Sequence, residues 1–214
     1  PLKGIGEAAA AIRAAAVFGE ALDKRKRGGD HFIPACHPVE RNPSALLDEW
    51  QGKQLLSAHQ VRIPQGEVCT AHDAAETARR IGFPVALKLV NSALPHKSDH
   101  GIVRLNLCDT DNIDGIAQEV LSLGSKALGH PAEDRILIEQ MANGLIAELL
   151  IGVQNDPQFG LVMTVAGGGT LVELMGDTAT VLLPAQPADL FEALSKLRVM
   201  PLLQGYRGRS KADL

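Results

Sequence analysis

The sequence predicts an α+β protein of two lobes, and three observations carry that expectation. Its 214 residues are 45% apolar and 21% charged, a balance that suits globular chains long enough to build one or two cores. Helical and strand-like runs follow one another up to about Gly124 without strict strand–helix–strand alternation. From Arg135 onward, β-rich runs joined by short Gly, Asn or Asp turns take over, the pattern of an antiparallel meander.

The elements follow in order. Glu7 to Lys26 is rich in Ala, Leu, Arg and Glu and free of Pro, so it reads as a helix stopped by Gly28 and Gly29. The basic run Lys24 to Arg27 closes it, where cations complement the helix dipole. Asp30 to Pro43 carries Pro34, Pro38 and Pro43 without periodicity and reads as a linker, which puts a domain boundary near Pro43. Ser44 is the expected N-cap of a helix running to about His59, and Ile63-Pro64-Gln65-Gly66 breaks it before a short strand around Val68. Thr70 to Ile81 has helical composition and ends at Gly82-Phe83-Pro84. Val85 to Val90 reads as a buried strand, Asn91 to Gly101 as a polar loop, Ile102 to Leu107 as a second strand and Asp109 to Gly124 as a helix. Arg135 to Gln140, Ala147 to Val153 and Leu161 to Val165 are expected to form one meander, followed by a glycine cluster and a helix from Ala188 to Leu197.

Composition narrows the function. A net charge of -4 with interspersed signs and 3% aromatic residues offers neither a basic field nor stacking platforms, so no nucleic-acid partner is expected. No run approaches the roughly 18 apolar residues of a membrane span, and PLKGIGEAAAAIR lacks a signal-peptide layout. Cys36, Cys69 and Cys108 form no CxxC pair, which argues against a disulfide framework or a zinc knuckle. A cytoplasmic protein without membrane partners is the expectation. The start at Pro1, without an initiator Met, suggests a piece of something longer. His31, His37, His59, His72 and His130 lack metal-ligand spacing and read as structural.

Four features carry chemistry. Lys88 interrupts the apolar run VALKLV, and burying an unpaired ammonium would cost several kcal/mol, so it needs an anionic partner. Strand alternation puts it on the face of Ala86 and Val90, aimed at phosphate oxygens across a cleft or, failing that, snorkelling to water. The loop Pro95 to Gly101 gathers His96, Lys97, Ser98, Asp99, His100 and Gly101. A neutral imidazole is a good nucleophile toward phosphorus, a lysine neutralises phosphoryl oxygens, and glycine admits close backbone approach. An ordinary solvated loop is the plainer reading. Glu139 ends one strand and Glu148 opens the next, placed to bind ribose or adenine, or a metal through water, unless both sit in surface ion pairs. Gly167-Gly168-Gly169-Thr170, followed by Glu173 and Asp177, is either a tight turn or a ligand-facing loop, since no GK[ST] or GxGxxG spacing is present.

Four strings together resemble a known family. FPVALKLVNSALPHKSDHGIV (Phe83 to Val103), ILIEQMANGLIAELLIGVQNDPQFG (Ile136 to Gly160), AGGGTLVELMGDTATVLLP (Ala166 to Pro184) and LLQGYRG (Leu202 to Gly208) look like the ATP-grasp domain of NDP-forming acyl-CoA synthetases, relatives of the succinyl-CoA synthetase β subunit. The resemblance covers Ser44 to the C-terminus. It implies an ATP-grasp fold with a nucleotide cleft between two lobes. Residues 1–43 would be a helical linker and the end of a preceding CoA-ligase region. Lys88 matches the lysine at the nucleotide phosphates, Glu139 and the backbone near Met141 the adenine hinge, and Glu148 the acid near ribose and phosphates. His96 matches the histidine that carries a phosphoryl group. The implied cofactors are ATP or ADP with Mg2+, and CoA is bound outside these residues. The implied partners are the CoA-binding and ligase domains or subunit of the same synthetase; a homo-oligomer is left open.

Two departures stand out. The family pattern carries two glycines after HKSD, and here the second is Ile102, which bears on close phosphate approach. The family's magnesium-binding Asn and Asp are expected beyond residue 214. A regulatory ATP-grasp module of an acetyltransferase-like multidomain protein is the alternative, opposed by the retention of His96. A carboxylate–amine ligase is a third reading, opposed by the HKSD loop, since such ligases need no histidine carrier.

Overall fold

A computed structural model describes residues 4–27, 46–94, 100–169 and 176–214. The chain divides into two compact units, one of Glu40–Gly144 and one of Pro1–Val39 with Leu145–Leu214.

The first unit is a four-stranded antiparallel sheet with helices. Its strands are β1 (Gly66–Cys69), β2 (Val85–Leu89), β3 (Val103–Leu107) and β4 (Ile136–Gln140), in the order β1-β4-β2-β3. Three helices belong to it: α2 (Glu49–Ala58), α3 (Ala74–Ile81) and α4 (Ile113–Leu128). Val85, Leu87 and Leu89 of β2 and Ile136 and Ile138 of β4 form a buried core with Ala74, Ala78 and Ile81 of α3 and Ile113, Ala117 and Val120 of α4. Residues paired across strands share a face. The pairs Ala86 with Glu139 and Lys88 with Leu137 therefore lie on the sheet's other face.

Several boundaries move for local reasons. The α2 helix starts at Glu49, not after Ser44, because Asp48 builds a capping box: its Oδ1 accepts the Gln51 N–H at 2.8 Å, and its own N–H donates to Gln51 Oε1 at 3.1 Å. Thr70 to Asp73 is a turn, with the Thr70 hydroxyl donating to Asp73 at 2.6 Å. The α4 helix begins four residues later than expected, where Asn112 accepts the Gly115 N–H, and runs on to a left-handed Gly129.

The second unit contains α1 (Ile5–Arg27) and a three-stranded antiparallel sheet of β5 (Leu149–Asp156), β6 (Gly160–Gly167) and β7 (Thr178–Leu182). Helix α5 (Pro187–Ser195) packs on β7, and α6 (Met200–Leu203) and a 3-10 turn (Tyr206–Gly208) follow. The expected meander of Arg135–Gln140, Ala147–Val153 and Leu161–Val165 is corrected here. The first run is β4 of the other sheet, and the meander's third strand is β7. The reason lies in burial: Ile136 to Ile138 are all fully buried, as suits a strand enclosed between two neighbours and covered on both faces. The β5–β6 hairpin turns at Asp156, whose Oδ1 accepts the N–H groups of Gln158 and Phe159 at 2.8 and 2.9 Å, and at Gly160, with φ +77°. Among the described residues no helix is long and apolar enough to cross a membrane.

Candidate functional site

Lys88 has its anionic partners, and there are two. Its Nζ donates to Glu139 Oε2 at 3.0 Å and to Glu49 Oε1 at 2.7 Å. Burial pulls its pKa down, but the carboxylates of Glu49 and Glu139 more than offset that and leave it above the ordinary lysine value. The side chain is 18% exposed, so Lys88 is neither snorkelling freely nor sealed in the core. Glu139, at 5% exposure, is a buried carboxylate rather than a surface one. Its second oxygen, Oε1, accepts from Lys53 of α2. Lys53 also donates to Glu49 Oε1 at 3.0 Å, one turn earlier on the same helix. Two ammoniums and two carboxylates thus form a ring on the sheet face opposite the core. An open cavity of ≈ 550 Å³ lies beside this ring, lined by Leu46, Asp48, Glu49, Lys88, Asn91 and Leu94 among others.

Sequence reasoning missed Glu49 and Lys53. The signal was there in DEWQGK, an acid and a lysine four residues apart behind a capping residue, but the same pattern marks many solvent-facing helices. Asp48 was missed too. Besides capping α2, its Oδ2 accepts from Arg135 at 2.8 Å, which ties the helix to the segment entering β4. Burial pushes the Asp48 carboxyl up, but the Gln51 N–H and Arg135 outweigh it and hold it below the usual value.

The other expected site residues are placed as follows. The Met141 N–H is committed to the Pro84 carbonyl at 3.1 Å. Gly101 has φ +65°, a conformation that favours glycine, and its carbonyl accepts from Arg104. Ile102, the departure from the double glycine, is fully buried in the α3–α4 core. In the second unit the structure brings Glu148 and the glycine cluster together. The Gly168 N–H donates to the Glu148 carbonyl at 2.6 Å, and a Cβ on Gly168 would lie 2.7 Å from the Glu148 backbone. Only glycine permits that approach. A Cβ on Gly169 would lie 3.4 Å from Glu148 Oε2, so the exposed carboxylate hangs over this turn. Asp177 accepts the N–H groups of Arg198 and Val199 at 2.8 and 3.2 Å, just before α6. His96, Lys97, Ser98, Asp99 and Glu173 lie outside the described residues. Among the described residues no group of three or more His, Cys, Asp or Glu side chains is arranged to hold a metal ion.

The comparisons give the class of protein. The family model for the ATP-grasp domain matches residues 39–214. The chain is 32% identical to a trans-feruloyl-CoA synthase from an unknown prokaryotic organism, over 90% of this chain and 27% of that protein. It is 30% identical to the β subunit of ADP-forming acetate–CoA ligase II of Pyrococcus furiosus, over 78% of this chain and 70% of that subunit. A solved dinucleotide-forming acetyl-coenzyme A synthetase 1 of Candidatus Korarchaeum cryptofilum, in complex with coenzyme A and Ca-AMPCP, has a TM-score of 0.71 and 28% identity, covering 78% of this chain and 73% of that one. Another structure of that protein, with Mg-AMPPCP, is described with its phosphohistidine segment pointing towards the nucleotide binding site (TM-score 0.63, 29% identity, 78% and 70% coverage). The chain belongs to the ATP-grasp family, and it is similar to a β subunit of ADP-forming acetate–CoA ligase. It spans about a quarter of the length of the trans-feruloyl-CoA synthase it matches.

Proposed function

We propose that this chain is the nucleotide-binding part of an NDP-forming acyl-CoA synthetase and passes phosphate between a histidine and ADP. The observation that carries this is Lys88, a half-buried ammonium at an open cavity, on the strand that leads into the HKSD loop. In the overall reaction an acyl-CoA, ADP and phosphate give the acid, CoA and ATP. Phosphate first displaces CoA to form an acyl phosphate. A nitrogen of His96 then attacks phosphorus as the bond to the acyl oxygen breaks, releasing the carboxylate. Finally the terminal ADP oxygen attacks phosphorus and the N–P bond breaks. Such transfers rest on positioning and charge neutralisation more than on an acid/base pair. Lys88 supplies the positive charge at the phosphates, and Glu148, over the turn of Gly168 and Gly169, is assigned to the ribose hydroxyls. With the Met141 N–H engaged, adenine recognition at this hinge falls to neighbouring backbone groups and to Glu139. Magnesium is carried in with the nucleotide. Residues 1–43 serve as the linker and end of a CoA-ligase region, and 44–214 as the ATP-grasp domain. The partners are the CoA-binding and ligase domains or subunit, in the cytoplasm.

The test is transfer of label from [γ-32P]ATP with magnesium to the full-length protein. Acid-labile, base-stable label mapping to the His96 peptide is expected, abolished in His96→Ala and weakened in Lys88→Ala through poorer nucleotide binding. Acid-labile label persisting in His96→Ala would show that the relay is wrongly assigned. Tight nucleotide binding without any label in the wild type would favour a regulatory module.

A further inference from the structure

Lys53 and Lys88 touch the same two carboxylates. Lys88 donates to Glu49 Oε1 and Glu139 Oε2, while Lys53 donates to Glu49 Oε1 and Glu139 Oε1. In the free protein one ammonium is therefore redundant as a counter-ion to Glu139. That redundancy ends when a nucleotide arrives. A phosphate brought to Lys88 approaches both carboxylates, and like charges at that distance oppose it. Lys88 can commit to the phosphate only if something else holds Glu139. Glu139 is 5% exposed and cannot be left to water, since an unpaired buried carboxylate costs several kcal/mol. The charged groups facing Glu139 are Lys53 and Glu49 from α2 and Lys88 from β2; on β1 its register partner is the uncharged Gly66. With Lys53 present, Glu139 keeps an ammonium when Lys88 turns to the phosphate; without it, Glu139 is left as a buried carboxylate whose other ammonium has gone to the ligand.

Resting on the assignment of Lys88 to the nucleotide phosphates, we infer that Lys53 is a positioning residue that takes over Glu139 and so releases Lys88 to the nucleotide. Lys53 touches no part of the ligand in this role. Its removal spares the free protein, where Lys88 still pairs Glu139, and penalises the bound one.

The experiment is calorimetric titration of the full-length protein with MgADP, alongside the melting temperature of the free protein. Lys53→Met is expected to raise the Kd about tenfold with little change in melting temperature, Lys53→Arg to restore it to within about threefold, and the penalty to shrink below about threefold in a Glu139→Gln background. Lys53→Gln serves as a second neutral variant if Lys53→Met does not fold. An undiminished penalty in the Glu139→Gln background, or no penalty in either neutral variant, overturns the role given to Lys53. If Lys88→Met binds MgADP as the wild type does, the assignment of Lys88 fails and the role of Lys53 fails with it. A Lys88→Met defect without the coupling between Lys53 and Glu139 sinks only the latter.

Discussion

Asp48→Ala tests whether α2 is held by its cap and by Arg135. Asp48 is 6% exposed, and its two oxygens do separate work: Oδ1 caps Gln51 and Oδ2 pairs with Arg135. Loss of the cap costs about 1 kcal/mol. Loss of the charged hydrogen bond costs about another 1 kcal/mol, kept to the low end because Arg135 is 34% exposed and regains water. The total, about 2 kcal/mol, lowers the folded-to-unfolded ratio about thirtyfold. Asp48→Asn separates the two parts, since Asn caps as well as Asp but carries no charge, and should recover about 1 kcal/mol. The assay is urea unfolding followed by circular dichroism, comparing midpoints at equal slope. The pH dependence has a definite sign. The folded carboxyl lies below its ordinary value of 3.8, so its ionic contribution is complete above that pH and is lost as pH falls through the lower folded value. The advantage of wild type over Asp48→Asn should therefore persist at neutral pH and fade in acid. If Asp48→Asn is as destabilised as Asp48→Ala, or if its deficit is unchanged in strong acid, the division of labour is wrong.

Two further outcomes follow from the geometry. Gly168→Ala would force the turn away from Glu148, breaking the 2.6 Å hydrogen bond; a loss of about 1–3 kcal/mol in urea unfolding is expected, together with weaker MgADP binding. Cys108 is exposed, whereas burial pushes the Cys69 thiol above its ordinary value and nearby Asp73, Glu67 and Asp134 add to that. Peptide mapping after brief alkylation should find Cys108 modified well before Cys69; the reverse order would contradict the placement of Cys69 on β1.

Lys88 was legible because a charge inside an apolar run is anomalous in one dimension: the residue that breaks the pattern needs a partner. Its partner Glu139 was legible only as a strand-end acid, since nothing local tells a buried carboxylate from a surface one. Glu49 and Lys53 were invisible as site residues because their spacing is that of any amphipathic helix, and their importance comes from the packing of α2 on the sheet. The strands themselves were largely readable, but their distribution between sheets was not. Arg135–Gln140 and Ala147–Val153 are close in sequence, and the short connection that suggested a hairpin instead joins two units. Strand β7 escaped because TATVL is short and follows a glycine cluster.

The core also sets the chemistry of the charged face, through register. Lys88 and Glu139 reach the same side of the sheet because β2 and β4 pair Ala86 with Glu139 and Lys88 with Leu137. A slip of one residue would turn one strand over relative to the other and put Lys88 and Glu139 on opposite faces. The strand that turned would carry its charge into the α3–α4 core, where an unpaired ion costs several kcal/mol, a large part of the stability of a domain. Nothing on the charged face has to enforce its own alignment: the burial of five aliphatic residues on one side fixes where an ammonium and a carboxylate stand on the other. The ring of Glu49, Lys53, Lys88 and Glu139 can therefore trade partners when a ligand arrives without loosening the sheet beneath it.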